Sequence, residues 1–574
     1  MEKRVLLAVA LSFVVLYGYQ VMFPPAPPPT FETPPTSATP GDPAATAPAA
    51  DSQGKPLPPT PTIEASQPTL SSSTEQEIVV EGPFVHAVFS NRGGVLKNWR
   101  LKNYQDDKGE ALDLVPSSVE GAARPFTLES PDPAAASSLR MALFKPSAES
   151  LVVGPGGATL TFDYVDASGL TARKIFSFAT DKPYEIGFEY DVKRNGAPVE
   201  ATVRWGPALG TGALGGGMMY APAPQPVFYK DGKTVRVKIK DLQSQSSFDG
   251  TFRFAGVDDH YFLSAVLTDL PLRVDYRPIV MPAVGSEPAR QFVDWSAKFN
   301  APPPSSVMYF FGPKDFEHLK AISPEMTHAI DFGMFRWLVV PLLNALKWVD
   351  GYLGNWGWSI VALTMLINLA MFPLRHKSVV SMRRMQELQP EVKAIQDRYA
   401  KLKVTDPARQ KMNAELMSLY RERGVNPASG CVPMLLTLPV LLAFYAMLSV
   451  AIELRGAPFV GWIRDLSTSD PWFVLPVLMG VTMVAQQKMT PSTADPVQQK
   501  MMMFMPVVLT VTMLWAPAGL MLYWTVSNLW GIGQQAVTNR LIGPPPAHTV
   551  RPPAERRVKN AGSGKSQQAT KERK

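Results

Sequence analysis

The sequence predicts a polytopic α-helical membrane protein with a large all-β domain and a cytoplasmic helical hairpin, and three observations carry that expectation. An apolar run from Val5 to Phe23 follows Lys3 and Arg4, and five further apolar runs begin at Trp356. Between them, from Glu75 to about Lys320, the pattern becomes an apolar–polar alternation punctuated by turn signals. The charged stretch Arg375–Arg423, with twelve Lys/Arg against six Asp/Glu, separates the first of the late apolar runs from the second.

The net charge of +7 and pI near 9.1 fit a membrane surface or a nucleic acid as partner. The basic residues cluster beside apolar runs, which favours the membrane over sequence-specific nucleic-acid recognition. The single cysteine, Cys431, excludes an intramolecular disulfide, and its place at the head of an apolar run reads as a small buried residue.

Residues 1–23 end in Tyr-Gln-Val-Met-Phe-Pro-Pro, where a cleaved signal peptide carries small residues, so an uncleaved signal-anchor is expected. Residues 24–74, rich in Pro, Ala and Thr, cannot bury enough apolar area to fold and read as a disordered tether. Residues 75–325 read as a β-sandwich on the far side of the membrane. Ile186, Phe188, Tyr190 and Val192 alternate as one face of a strand. Further strand-like runs fall at Phe84–Phe89, Thr159–Tyr164, Lys174–Phe178, Thr234–Ile239 and Val307–Phe311, with hairpin turns at Asn195-Gly196 and Asp231-Gly232. His86 and His260 are isolated and read as structural, and Gly210–Gly217 reads as a mobile loop. Residues 330–352 are apolar but carry Arg336, Lys347 and Asp350 and are broken by Pro341, which suits an interfacial helix.

The core, residues 356–538, is expected to hold five spans at about 356–373, 432–452, 472–487, 501–516 and 519–538, with the cytoplasmic hairpin at 375–430. Several are short for about 30 Å of hydrocarbon, which implies tilting or local thinning. The hairpin carries a net +6, the tail from Arg540 nine basic residues against two acids, and the loop Glu453–Asp470 a net −1. The positive-inside rule then puts hairpin, tail and both termini in the cytoplasm, with six spans counting the anchor. Residues 540–574 read as a basic tail. Its Gly562-Ser563-Gly564-Lys565-Ser566 lacks the upstream glycine and the strand of a phosphate loop.

The spans are not uniformly apolar. Thr364, Asn368 and Arg375 share one helical face by spacing, as do Thr482 and Gln486, and Trp524, Asn528 and Gln535. Spacing alone leaves interhelical hydrogen bonding and a hydrated cavity equally open. In the hairpin, Met382, Met385, Leu388 and Val392, and Met412, Leu416 and Leu419, form apolar faces expected to pack on each other.

The segments GNWGWSIVALTML, LQPEVKAIQDRY, LYRERGVNPASGCVPMLLTLPVLLAFYAML, ELRGAPFVGWIRDLSTSDPWFVLPVLMGVTM, QQKMMMFMPVV and PAGLMLYWTVSNL resemble the YidC/Oxa family of membrane protein insertases over about Phe332 to Arg540. The anchor and β domain, with SNRGGVLKNWRLKNY, resemble the added domain of the Gram-negative YidC type. The resemblance implies an inner-membrane protein whose five-helix core encloses a hydrophilic, cytoplasm-open groove, beneath a periplasmic β-supersandwich. It implies groove or substrate contacts at Thr364, Asn368, Arg375, Thr437, Gln486, Gln487, Trp524 and Asn528, and client or targeting contacts at Met382, Arg383, Arg384 and Met385. It implies nascent membrane proteins, the ribosome, the signal-recognition receptor, the Sec translocon (SecYEG, SecDF) and membrane lipids as partners. Cofactors, metals and catalysis are not expected. Asn368 departs from the family, which usually carries an arginine there; either Arg375, two turns below, supplies part of that field from the groove mouth, or groove hydration alone suffices. A small-solute transporter would require internal repeats, and a carbohydrate-active enzyme a carboxylate or histidine constellation in the β domain; neither stands out in the sequence.

Overall fold

The computed structural model describes residues 69–106, 109–115, 123–209, 224–281, 290–300, 306–399, 408–425, 432–490 and 496–542. Gln67–Ala494 and Met501–Lys574 form one compact unit, which holds almost all of them; of the second unit, Met1–Ser66 with Asp495–Lys500, only 496–500 are described. The N-terminal anchor, the Gly210–Gly217 loop, Cys431 and the tail beyond Ile542 lie outside the described residues.

The β region is built from three sheets. The largest runs from Lys233–Arg236 through Gln225–Lys230, Phe254–Asp258, Phe262–Leu267, Val307–Pro313, Glu185–Arg194, Leu170–Phe178 and Ala158–Val165 to Lys145–Pro146. Ala111–Asp113, Val95–Gln105, Val85–Ser90, Glu77–Glu81 and Ser150–Val152 form a second, and Ser247–Thr251, Pro271–Met281, Arg290–Phe299, Thr202–Ala208 and Thr127–Glu129 a third. Both expected hairpin turns form with positive φ at both central residues, 51° and 83° at Asn195-Gly196 and 51° and 77° at Asp231-Gly232, the backbone that matches the strands' right-handed twist. Fully buried aromatics fill the interior: Phe126 lies 4.6 Å from Trp205 and 4.8 Å from Phe188, ring to ring.

Two details differ from expectation, and a third, at Lys174, is a finding of the tertiary structure. The tether gives way before residue 74, because Leu70 exchanges backbone hydrogen bonds with Val165 at 3.0 and 2.9 Å. The region is not all-β: α1 (Pro133–Met141) starts at the N-cap Asp132, whose carboxylate accepts from the Ala134 N–H, and buries Ala135 and Leu139. Lys174 sits on the inward face of its strand, fully buried. Its ammonium donates to the carbonyls of Gly93 (2.7 Å), Gly94 (3.2 Å) and Phe126 (2.7 Å), which satisfies a charge that would otherwise be too costly to bury.

The helical region follows as α2 (Phe316–Ile322), α3 (Arg336–Leu353), α4 (Trp356–Ala370), α5 (Phe372–Glu387), α6 (Gln389–Tyr399), α7 (Ala408–Glu422), α8 (Val432–Val450), α9 (Val474–Met489), α10 (Pro496–Thr512) and α11 (Ala518–Ile542). Pro341 does not break α3: it sits early in the helix, where only one intrahelical bond is forgone, and the helix runs on to a left-handed Gly354 at φ 62°. Trp337, Trp348 and Tyr352 stay exposed on its outer side. Among the described residues no single helix is long and apolar enough to cross a membrane. Helices α4 and α5 pass that test only together, bent by 56°; Leu438–Val450 and Lys500–Thr512 are apolar but shorter. The first apolar run ends at Ala370 rather than Pro373, which lies in the first turn of α5 and needs no N–H there.

Helix α3 and the loop after α8 dock on the β region. Lys347 of α3 pairs with Glu453 at 2.6 Å and Asp315 at 3.4 Å. Burial works against its charge, but Glu453 and then Asp315 outweigh that and hold its pKa above the ordinary lysine value. His260 Nε2 donates to the Ser449 carbonyl at 2.6 Å, satisfying one of the free carbonyls at the end of α8. Arg455 lies over the Phe262 ring, 5.0 Å from its centroid, and donates to the Gln105 carbonyl at 3.3 Å.

Candidate functional site

Helix α4 begins at Asn355, whose side-chain oxygen accepts from the Trp358 N–H at 3.1 Å, and packs against α11 and α3. That start sets the rotation of its polar face. Thr364 is fully buried and returns its hydroxyl to the Ile360 carbonyl at 2.6 Å. One turn on, Asn368 is 4% exposed; its amide nitrogen donates to the Thr364 carbonyl at 2.8 Å and to Ser527 Oγ of α11 at 3.3 Å. Arg375 reaches back from α5, and its Nη1 donates to Asn368 Oδ1 at 2.8 Å. The three residues that sequence spacing places on one face therefore form a continuous chain from the interior of α4 to a half-buried cation. The 56° bend, falling between Asn368 and Arg375, does not part them.

Helices α9 and α11 close the other side. Asn528 donates to Thr482 Oγ1 at 3.2 Å and to the Met479 carbonyl at 3.4 Å, and all three residues are buried. Its place is thus an interhelical hydrogen bond, not an open wall. Gln486 packs beside Gly531, where a Cβ would overlap its amide; Gln486 and Gln487 are half-buried. Trp524 is half-buried against the apolar core, and the neighbouring Tyr523 stacks on Phe444, 4.3 Å between centroids. Thr437 lies on α8, but its side chain is outside the described set. Gln535 bonds Asn539 within α11 at 3.0 Å instead of facing the other helices' polar groups.

Two contacts that spacing did not single out join α5 to α11. Gln534 Nε2 donates to the Phe372 carbonyl at 3.3 Å, and His376 Nδ1 lies 3.2 Å from Thr538 Oγ1. They fix where the charged segment leaves the bundle. Beyond it, Val392, Ile395 and Leu419 form the apolar cluster of α6 and α7, with Met412 and Leu416 against it. Met382 and Met385 stay outside that cluster, half-buried with Arg383, while Arg384 is exposed. Val392, Met412, Leu416 and Leu419 pack as expected, while Ile395 takes the place of Met382 and Met385, which precede Leu388, the residue between α5 and α6.

The profile of the 60Kd inner membrane protein family matches residues 348–544, and that of the YidC periplasmic domain residues 77–345. A membrane protein insertase YidC of Geobacter metallireducens is 38% identical over 571 residues, with 94% of this chain and 99% of the relative covered. One of Geobacter sulfurreducens is 37% identical over 555 residues, with the same shares covered. A crystal structure of an active YidC insertase with its first transmembrane domain resolved is 18% identical, covering 83% of this chain and 95% of that one, at a TM-score of 0.33. The chain belongs to the YidC family of membrane protein insertases, of the type that carries a large periplasmic domain.

Proposed function

We infer that this protein inserts nascent inner-membrane proteins by giving a short polar segment a hydrated path along α4, α9 and α11. The observation that carries the reading is the chain Thr364–Asn368–Arg375, a continuous polar strip within the bundle with its cation at one end. Thr525 Oγ1 and Trp530 Nε1 of α11 are also buried without a hydrogen-bonding partner among the described atoms, which further suits a polar interior. A bare charge at the centre of a bilayer costs from about 3 to more than 10 kcal/mol. A polar strip among short helices shortens that path, and partition of the client's apolar helix into lipid drives the step without nucleotide.

In this reading the anchor and the core make six spans with both termini cytoplasmic. Residues 75–325 lie in the periplasm, residues 330–352 lie along the outer leaflet, and residues 356–538 form the insertase core. Exposed Trp337, Trp348 and Tyr352 suit that interfacial place for α3. The hairpin and the basic tail meet the ribosome, the signal-recognition receptor and the client, alone or beside the Sec translocon.

The test places a photo-crosslinker at Asn368 and, separately, at Trp524, in liposomes that contain this protein alone. A ribosome-bound single-span client with a short tail is then presented. Crosslinks at both sites, with the tail protected from protease, are expected. Protection without crosslinks would move the path elsewhere; neither would mean that the protein needs a partner translocon.

A further inference from the structure

Two arginines lie in the loop between α8 and α9, and only one is engaged. Arg455 binds the β region as described. Arg464 is exposed and forms no hydrogen bond or ion pair with any described residue, although Asp465 is adjacent. It borders an open, mostly apolar-walled cleft of about 570 Å³ with Gly461, Trp462, Pro471 and Trp472. The cleft wall is built. Trp462 and Trp472 stack with 5.4 Å between centroids and 15° between planes. The buried Asp470 holds them, accepting from Trp462 Nε1 at 2.9 Å, the Trp472 N–H at 3.0 Å and the Leu475 N–H at 2.7 Å. Asp465 accepts from the Ser467 N–H, so the two nearby carboxylates are both tied inward. Phe473 adopts a left-handed backbone at φ 56°, strained for a bulky residue, as the chain turns into α9.

Below the cleft an apolar stripe opens. Trp472 is 67% exposed, and Phe473, Val474, Val477, Leu478 and Val481 continue the exposed face along α9. An unpaired guanidinium, an indole step and an exposed apolar stripe, in that order, match the order of parts in a lipid: phosphate, glycerol interface, acyl chain. The planar fork of arginine suits two phosphate oxygens, and indoles favour the level of the headgroups. We propose that Arg464, with the stacked Trp462 and Trp472, holds the phosphate headgroup of an anionic phospholipid whose acyl chains lie along the exposed face of α9. The assignment rests on the helical region lying in a bilayer, as proposed above. It places a bound lipid beside the short α9, where local thinning would matter.

The experiment uses the full chain in nanodiscs of mixed phosphatidylglycerol and phosphatidylethanolamine, released into mild detergent, with retained lipid counted by native mass spectrometry. R464Q is expected to lower phosphatidylglycerol retention about tenfold at the tightest site, the loss of roughly one charge-assisted contact. W472A is expected to lower it as well, with W472F restoring it should W472A melt early. R253Q, which removes an exposed arginine paired with Asp269 far along the chain, is expected to change nothing. Equal retention by R464Q and the unsubstituted protein overturns the proposal and leaves the insertase reading standing. Displacement of the lipid by inorganic phosphate as complete as the effect of R464Q also overturns it, in favour of a free-anion site. If the unsubstituted protein retains no lipid and inserts no client, the membrane reading itself fails.

Discussion

Removing the Arg375 side chain isolates the contribution of the polar strip. Arg375 donates to Asn368 Oδ1 at 2.8 Å, while the amide nitrogen of Asn368 is already committed to Thr364 and Ser527. In R375A that oxygen has lost its charged donor inside a residue only 4% exposed, which should cost about 1–3 kcal/mol. Asn368→Leu removes the acceptor along with the two amide bonds, so R375A should then cost little more. A double-mutant cycle on thermal or denaturant unfolding should give a coupling of about 1–2 kcal/mol. In proteoliposomes, R375A should slow insertion of a client with an acidic tail more than of one with a neutral tail, and Arg375→Lys should retain most of the difference if charge is what matters. Additivity within about 0.5 kcal/mol, together with unchanged insertion by R375A and Asn368→Ala, would refute the role assigned to this pair.

Three further outcomes follow from the junction and the bundle. Lys347→Met leaves the half-buried Glu453 facing Asp315 without their cation and should destabilise the protein in a melting experiment by less than the ~3–5 kcal/mol of a fully buried pair, with Lys347→Arg intermediate. Burial, then Lys314 and Arg455, lower the His260 pKa to about 4, against about 6.5 in an unfolded chain. The folded state then binds fewer protons between those values. The His260 contribution is complete above pH about 6.5 and is lost as pH falls through about 4; allowing for partial exposure it is about 2 kcal/mol, and His260→Gln should flatten that part of the stability–pH curve. At Gly480 a Cβ would overlap the Thr510 hydroxyl, so Gly480→Val should lower the melting temperature by pushing α9 from α10, at about 1–3 kcal/mol, and Thr510→Ala should relieve part of it.

Local periodicity made part of this molecule legible. The alternation at Ile186, Phe188 and Val192 and the Asn-Gly and Asp-Gly turns report a backbone pattern that neighbours in sequence set by themselves. The same holds for Thr364 and Asn368, four residues apart on one helix. Helix α1 is harder to read because its nine residues, rich in Ala and Ser, bury only Ala135 and Leu139; its signal is the Asp-Pro start, which caps locally. In the hairpin the spacing of Val392, Met412, Leu416 and Leu419 reports the packed face, but a count along one helix also takes in Met382 and Met385, which lie before the break at Leu388.

What the sequence by itself determined is the order of the parts and the chemical character of each: an anchor-like start, a β region, a basic charged segment, short apolar helices with polar faces, and membership of a family through motifs along nearly the whole chain. What only the tertiary structure decided is which polar groups meet. Asn528 and Asn368 look alike in sequence, yet one is tied to Thr482 and Met479 of α9 and the other to Ser527 of α11. Lys174 shares the face of Phe176 and Phe178 by strand period, but only the fold brings the carbonyls of Gly93, Gly94 and Phe126 around its ammonium. The physical reason is common to all three. A buried polar group is settled by the partners that remove its desolvation cost, and those that join one element to another, Thr482 for Asn528, Ser527 for Asn368, and Gly93 and Phe126 for Lys174, stand dozens of residues or more away, beyond the reach of any period of 2 or 3.6.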